Sequence, residues 1–235
     1  MTASFATWTV LPHEPLQQLE DNLWRVEGTL PKMPLHRVMT VVRLASGELV
    51  VHNPIALSDP EMAKLDALGK VAFLVVPNGW HRQDLKAFHA RYPAARVLAP
   101  AGARKKVAEV EPTVEELRDL GPDVALAPID GTKRMEAVMT VRSGDRISVV
   151  LADAVFNMPH LTGVQGFVLK HITGSSGGPK TSRIARVLMI KDKAAFAAHL
   201  ERLATPDLAR VIVAHHQVID QDPAGTLKRI AATLR

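Results

Sequence analysis

Three apolar runs in this 235-residue chain stop abruptly at polar residues that can do chemistry. LVV is followed by Pro77, Asn78, Gly79, Trp80 and His81, with Asp84 shortly after; VVLA is followed by Asp153, and VIVA by His215 and His216. Imidazoles and a carboxylate presented from three strand ends make a two-histidine, one-carboxylate set, which suits Zn²⁺ or Fe²⁺ and leaves positions open for water. The same groups can instead satisfy one another as a buried hydrogen-bonded network without an ion. Cysteine is absent, so disulfides and thiolate ligation are excluded, and the ten histidines and the carboxylates remain as ligands.

Such a set works only if the elements carrying it end at one edge. Residues 71–76 are apolar on both alternating faces, as in a central strand buried between two layers, and Pro77, unable to donate to a ladder, ends it. Leu85, Phe88 and His89 then begin a helical stripe with Asp84 as its expected N-cap. Upstream, 24–27 and 38–44 read as strands, and Gly47 turns the chain into 49–52, an antiparallel meander. Ser58 and Asp59 before Pro60 open a helix that buries Met62, Leu65 and Leu68 and stops at Gly69. A strand at 95–98, helical patterns at 102–110 and 114–120, and a hairpin of 135–141 with 147–151 follow. Residues 157–183 show few clean periods, and the stretch HITGSSGGPKTSR within them has the composition of a mobile loop. Beyond them 184–190 reads as a strand, 194–203 as a helix, 210–214 as a strand and 223–234 as a helix. No repeat or linker divides the chain, so residues 1–235 are expected to form a single domain of α/β (α+β) class, two mixed sheets face to face with helices outside.

Composition narrows the partners. With 47% hydrophobic and 23% charged residues the chain is an ordinary globular sequence, and it has neither an apolar run near 18 residues nor a signal-peptide pattern. A soluble, cytoplasmic protein with no membrane contact is expected. The net charge of +5 mildly favours anionic ligands, but the cations are dispersed and aromatics are only 4%, so nucleic acid is not an expected partner. GSSGGPKT imitates a phosphate loop, yet Pro179 stands where its last glycine belongs and removes a needed N–H. His13, His36, His89, His160, His171 and His199 occur singly and read as surface or packing residues.

LVVPNGWHRQD, YPAARVLAP, VVLADAVFN and VIVAHHQVI, in that order, resemble the metallo-β-lactamase superfamily along nearly the whole chain. VHNPI at 51–55, PNxxH at 77–81, Glu136 and DxxFN at 153–157 resemble an uncharacterised branch of it. The resemblance implies a four-layer αββα sandwich. It also implies a degenerate metal signature, because Asn78, Gly79 and Trp80 stand where a hydrolase of the superfamily carries most of His-x-His-x-Asp-His, and His81 alone survives. His81, Asp153 and either His215 or His216 are carried over as metal ligands, for one zinc or iron ion or for none. His52, Asn78, Trp80, Asp84, Glu136 and Asn157 are carried over as groups lining the cleft or supporting the ligands. The implied function is hydrolase-like with an at most mononuclear site; the alternative is a non-catalytic descendant that binds a small ligand or a partner. Substrate and oligomeric state are left open.

Overall fold

In a computed structural model, which describes residues 4–31 and 33–235, the chain forms two sheets. The first has seven strands in sequence order: β1 (Gln17–Glu20), β2 (Leu23–Leu30), β3 (Met33–Arg43), β4 (Glu48–His52), β5 (Lys70–Val75), β6 (Arg96–Ala99) and β7 (Glu115–Glu116). β1 to β4 pair antiparallel and β4 to β7 parallel. The parallel crossovers carry helices α1 (Asp59–Leu68), α2 (Leu85–Arg91) and α3 (Ala101–Val107). The second sheet holds β8 (Val124–Pro128), β9 (Ala137–Ser143), β10 (Arg146–Leu151) and β13 (Leu208–Val213), ordered β13-β10-β9-β8, with β13 parallel to β10. α6 (Lys193–Leu203) and α7 (Pro223–Ala232) cover its outer face.

Strand periodicity produces the four layers. Along β3, Met39 and Val41 pack toward the helices while Val38 and Val42 enter the layer between the sheets. In β13, Val211 and Val213 face α6 and α7 whereas Ile212 faces inward. Strands apolar on both faces need cover on both, so each sheet has a helical layer outside and shares one inner layer with the other. That inner layer draws Val50, Val75 and Leu98 from the first half and Met139, Val150 and Ile212 from the second. Each such fully buried aliphatic side chain contributes about 1.5–3 kcal/mol. No helix among the described residues is long and apolar enough to cross a membrane.

Three segments depart from expectation. Residues 114–120 are not a helix: Glu115 and Glu116 pair with β6 at the sheet edge, and Leu117 and Leu120 drop into the inter-sheet layer. Residues 184–190 are not a strand but mostly helix, α5 (Arg183–Leu188), begun by Ser182, whose Oγ accepts the Ala185 N–H at 3.1 Å. Residues 157–183 hold more regular structure than their composition implied. They form β11 (Phe156–Met158), α4 (Gly163–Phe167), a π-helical turn at Val168–Ile172, and β12 (Gly178–Lys180), which pairs with β11. The serines and threonines that suggested flexibility bond inward: Thr181 donates to the Ala154 carbonyl at 2.9 Å, and Ser176 meets His160 at 3.1 Å. Gly177 supplies a corner at φ 93°, where a Cβ would strike the His160 ring at 2.5 Å, so this glycine serves a turn.

Candidate functional site

The strand ends meet at one edge. After β5, Asn78 Oδ1 accepts the Trp80 N–H at 2.9 Å, closing a tight turn that aims His81 across the sheet edge. After β10, Asp153 sits where the N–H groups of three successive residues converge on Glu136: Oε1 accepts from Ala152 and Ala154 at 3.0 Å each, and Oε2 from Asp153 at 2.9 Å. After β13, the Ala214 carbonyl accepts from Val38 of β3 at 2.8 Å, bringing the edges of the two sheets together. His216 then takes φ 66°, which turns its ring away from that of His215.

The result is one cluster. Asp153 Oδ2 lies 3.2 Å from His81 Nε2, Asp153 Oδ1 lies 3.1 Å from His215 Nε2, and the three ligand atoms fall within 4.8 Å of one another. The outer nitrogen of each imidazole is fixed. Asn53 donates its amide to the Val38 carbonyl at 2.8 Å, which leaves its Oδ1 to accept from His81 Nδ1 at 3.0 Å. The His36 carbonyl accepts from His215 Nδ1 at 2.8 Å. A neutral ring with its proton on Nδ1 carries a lone pair on Nε2, so both rings point lone pairs at a carboxylate. That arrangement calls for positive charge between them, either added protons or a metal ion. Pinned Nδ1 atoms with convergent Nε2 atoms are the support that metal-ligating histidines receive, and the residues fit one ion.

The electrostatics agree. Burial raises the pKa of Asp153, but the charge of His81 and the hydrogen bonds of both histidines override it and hold the carboxyl well below its usual range. Burial lowers that of His215, yet the Asp153 hydrogen bond and charge win and raise it. Glu136 is pushed up to about 7, first by burial and then by the negative charge of Asp153. Of the two carboxyls, Glu136 is therefore the one that holds a proton more readily. Asn78 joins them, its amide donating to Glu136 Oε2 at 3.1 Å and to Asp153 Oδ2 at 2.9 Å. His52, fully buried, is lowered to about 3 by burial and then by the charge of His81, so it is neutral.

Other expected site residues lie elsewhere. Asp84 stands at the N-cap position of α2, but its side chain makes no cap bond and does not line the cleft: it is buried against the Arg37 guanidinium, because a charged Arg37 on β3 needs a partner. Asn157 is turned away, its amide donating to the carbonyls of Gln217 and Val218 and so fastening the segment after β13. Trp80 does wall the cleft, a space of about 150 Å³ that also involves Met33, Leu35, Asn53, His81, Asp153 and His215.

Three contributing residues were not foreseen. Asn53, which orients His81, sits within the VHNPI motif at φ 55°, a conformation that asparagine tolerates, but its partners lie on β3 and in the turn after β5. Glu27 and His36 form a second cluster with His216, visible only once the strand register is known. Its contacts differ. His36 Nδ1 donates to Glu27 at 2.6 Å, Arg25 donates to the other Glu27 oxygen at 2.5 Å, and His216 Nε2 accepts the His36 N–H at 3.2 Å. Of the remaining single histidines, His13, His89, His160 and His199 bond Ser58, Glu111, Ser176 and Asp130, as packing residues do.

No protein-family model and no curated protein matches the sequence. Solved structures do. A DIM-1 metallo-β-lactamase superposes with a TM-score of 0.61 at 14% identity, over 95% of this chain and 100% of that one. The metallo-β-lactamase FIM-1 from Pseudomonas aeruginosa, in a mono-zinc form, gives 0.59 at 12% identity over 95% and 96%. A metallo-β-lactamase from Erythrobacter litoralis gives 0.58 at 13% over 93% and 96%. The chain has the metallo-β-lactamase fold, the αββα sandwich that its strand-end motifs implied.

Proposed function

We propose that this protein is a hydrolase-like enzyme with a mononuclear metal site made by His81, Asp153 and His215. The observation that carries the reading is the pair of Nε2 lone pairs facing one carboxylate, each fixed by a bond at Nδ1. Zn²⁺ or Fe²⁺ held there supplies Lewis acidity, acidifying water and polarising a carbonyl or phosphoryl oxygen. Asn53 and the His36 carbonyl hold the two rings in the ligating tautomer, and Glu136 fixes the backbone that presents Asp153. The three converging ligand atoms are those of a single-ion site, and the Asn78 amide, which donates to Asp153 Oδ2 at 2.9 Å, adds no further ligand. Trp80 lines the cleft beside His81.

A second reading is favoured by Asp153 itself. With both histidines protonated, its oxygens are satisfied by His81, His215 and Asn78, and the cluster is a closed polar network in a ligand-binding protein. Metal analysis of protein purified without added zinc separates the two. About one equivalent, lost in His81→Ala and Asp153→Ala, supports the enzyme. No metal, together with a melting temperature unmoved by added zinc, supports the network.

A further inference from the structure

The large apolar side chains that this fold leaves in water are not scattered. Nine are exposed among the described residues, and all but Val10 lie either at the cleft, as Met33 and Trp80 do, or between Val164 and Leu188. Single exposed leucines are ordinary, but a concentration of them marks a surface meant to be covered. Between the two groups lies a cavity of about 470 Å³.

One wall is Met33, Leu35 and Trp80; the other is Leu169, Ile184, Leu188 and Met189; Phe156 and Asp153 also line the space. Ile184 and Leu188 are 48% and 51% exposed at the rim. No lysine or arginine among the described residues lines it, although the chain carries a net charge of +5. Its hydroxyls are already engaged: Thr173 donates to the Leu169 carbonyl, Ser175 bonds Thr173, and Ser182 caps α5. The cavity therefore offers a ligand apolar contact almost alone, with the Asp153 carboxylate as its only ionisable group among those residues.

We propose that the substrate carries a long apolar group, an acyl chain or an alkyl-aryl group, that lies in this cavity with its hydrolysable carbonyl at Asp153. The proposal rests on the hydrolytic reading above. The volume is that of a small-molecule pocket, and its two methionines adapt to chains of differing shape. A short or strongly anionic substrate leaves this space unused. The anionic preference expected from net charge has no counterpart among the described residues that line the cavity, of which Asp153 alone is charged.

Binding is tested apart from catalysis. A fluorescent undecanol derivative, uncharged, is titrated into metal-free and zinc-loaded protein, and zinc content is measured alongside. Ile184→Asp places a charge at the half-exposed rim, whereas Val164→Asp, 82% exposed and outside the cavity lining, is the control. The expected result is roughly tenfold or greater weakening by Ile184→Asp and less than about twofold by Val164→Asp, with zinc content unchanged in both. With p-nitrophenyl esters from acetate to decanoate, kcat/KM should rise with chain length, and Ile184→Asp should flatten the rise. No probe binding, or equal loss in both variants, overturns the proposal. So does a dimer, seen by sedimentation, that buries this face and is abolished by Ile184→Asp. Probe binding as expected in protein that takes up no zinc leaves the cavity standing and removes the hydrolytic reading instead.

Discussion

His215 and His216 are adjacent in the chain, yet they belong to two clusters of nearly the same composition and different hydrogen bonding. Each cluster has two imidazoles and one carboxylate. In the first, both Nε2 atoms converge on Asp153, and no guanidinium among the described residues pairs with that carboxylate. In the second, Glu27 is neutralised by Arg25, and the Nε2 of His216 is spent on the His36 N–H. Residue type alone does not make a metal site: lone pairs must be left over after the protein's own donors are served, and the ring must be held so that the free nitrogen faces inward. The left-handed turn at His216 separates the two outcomes.

The largest expected effect tests that support. Asn53→Gly preserves the φ of 55° but removes the acceptor for His81 Nδ1, and zinc affinity should fall about 10–100-fold. His36→Ala should change it by less than about twofold, since His36 serves His215 through its backbone carbonyl only. Calorimetric zinc titration compares them. A greater loss in His36→Ala would move the metal to the second cluster.

A smaller effect contrasts the two glutamates. In Glu136→Gln, an amide must face either the Asp153 N–H and Asn78 amide or the N–H groups of Ala152 and Ala154, donor against donor in a fully buried place. The expected cost is about 1–3 kcal/mol of unfolding free energy. Glu27→Gln removes a partly exposed ion pair and should cost no more than about 1 kcal/mol. Urea midpoints decide; equal losses would show that the Glu136 bonds are not the main tie on the Asp153 turn.

Much of this was legible before any coordinates, because it lay in local pattern. Apolar runs that stop at Pro77, Asp153 and His215 read as strand ends, and their order implied the sandwich. Facts fixed by tertiary pairing were not legible. Which histidine of the pair enters the cluster depends on one backbone dihedral, and Asn53 acquires its role from the Val38 carbonyl on β3. The Gly/Ser stretch misled because composition reports what a chain can do in water, whereas Ser175, Ser176 and Thr181 are buried and bonded. Residues 184–190 misled because their β-branched content suits a strand, while Ser182 and the inward-facing Ala185 and Met189 make a helix. Asp84 holds the expected N-cap position, but its carboxylate serves Arg37, 47 residues earlier, which nothing local announces.

The smallest signal is the sharpest test of the comparison, and it is read from the two neighbours themselves. Burial, then the charge of His36, lowers His216 from the ordinary 6.5 to about 4, while Asp153 raises His215 above it. A depressed histidine favours the neutral ring in the fold, so its contribution to stability is complete above pH 6.5 and is lost as pH falls toward 4. A raised histidine behaves oppositely: its contribution is complete below 6.5 and is lost as pH rises through the elevated value. Ring NMR titration of metal-free protein should therefore show His216 changing near pH 4 and His215 changing above 6.5. Asp153→Asn should bring His215 down and leave His216 in place. Zinc competes with the proton for Nε2, so one equivalent should abolish the His215 titration and spare that of His216. Were zinc to silence His216 instead, the cluster with leftover lone pairs would be the wrong one, and the argument from hydrogen-bond satisfaction would fail with it.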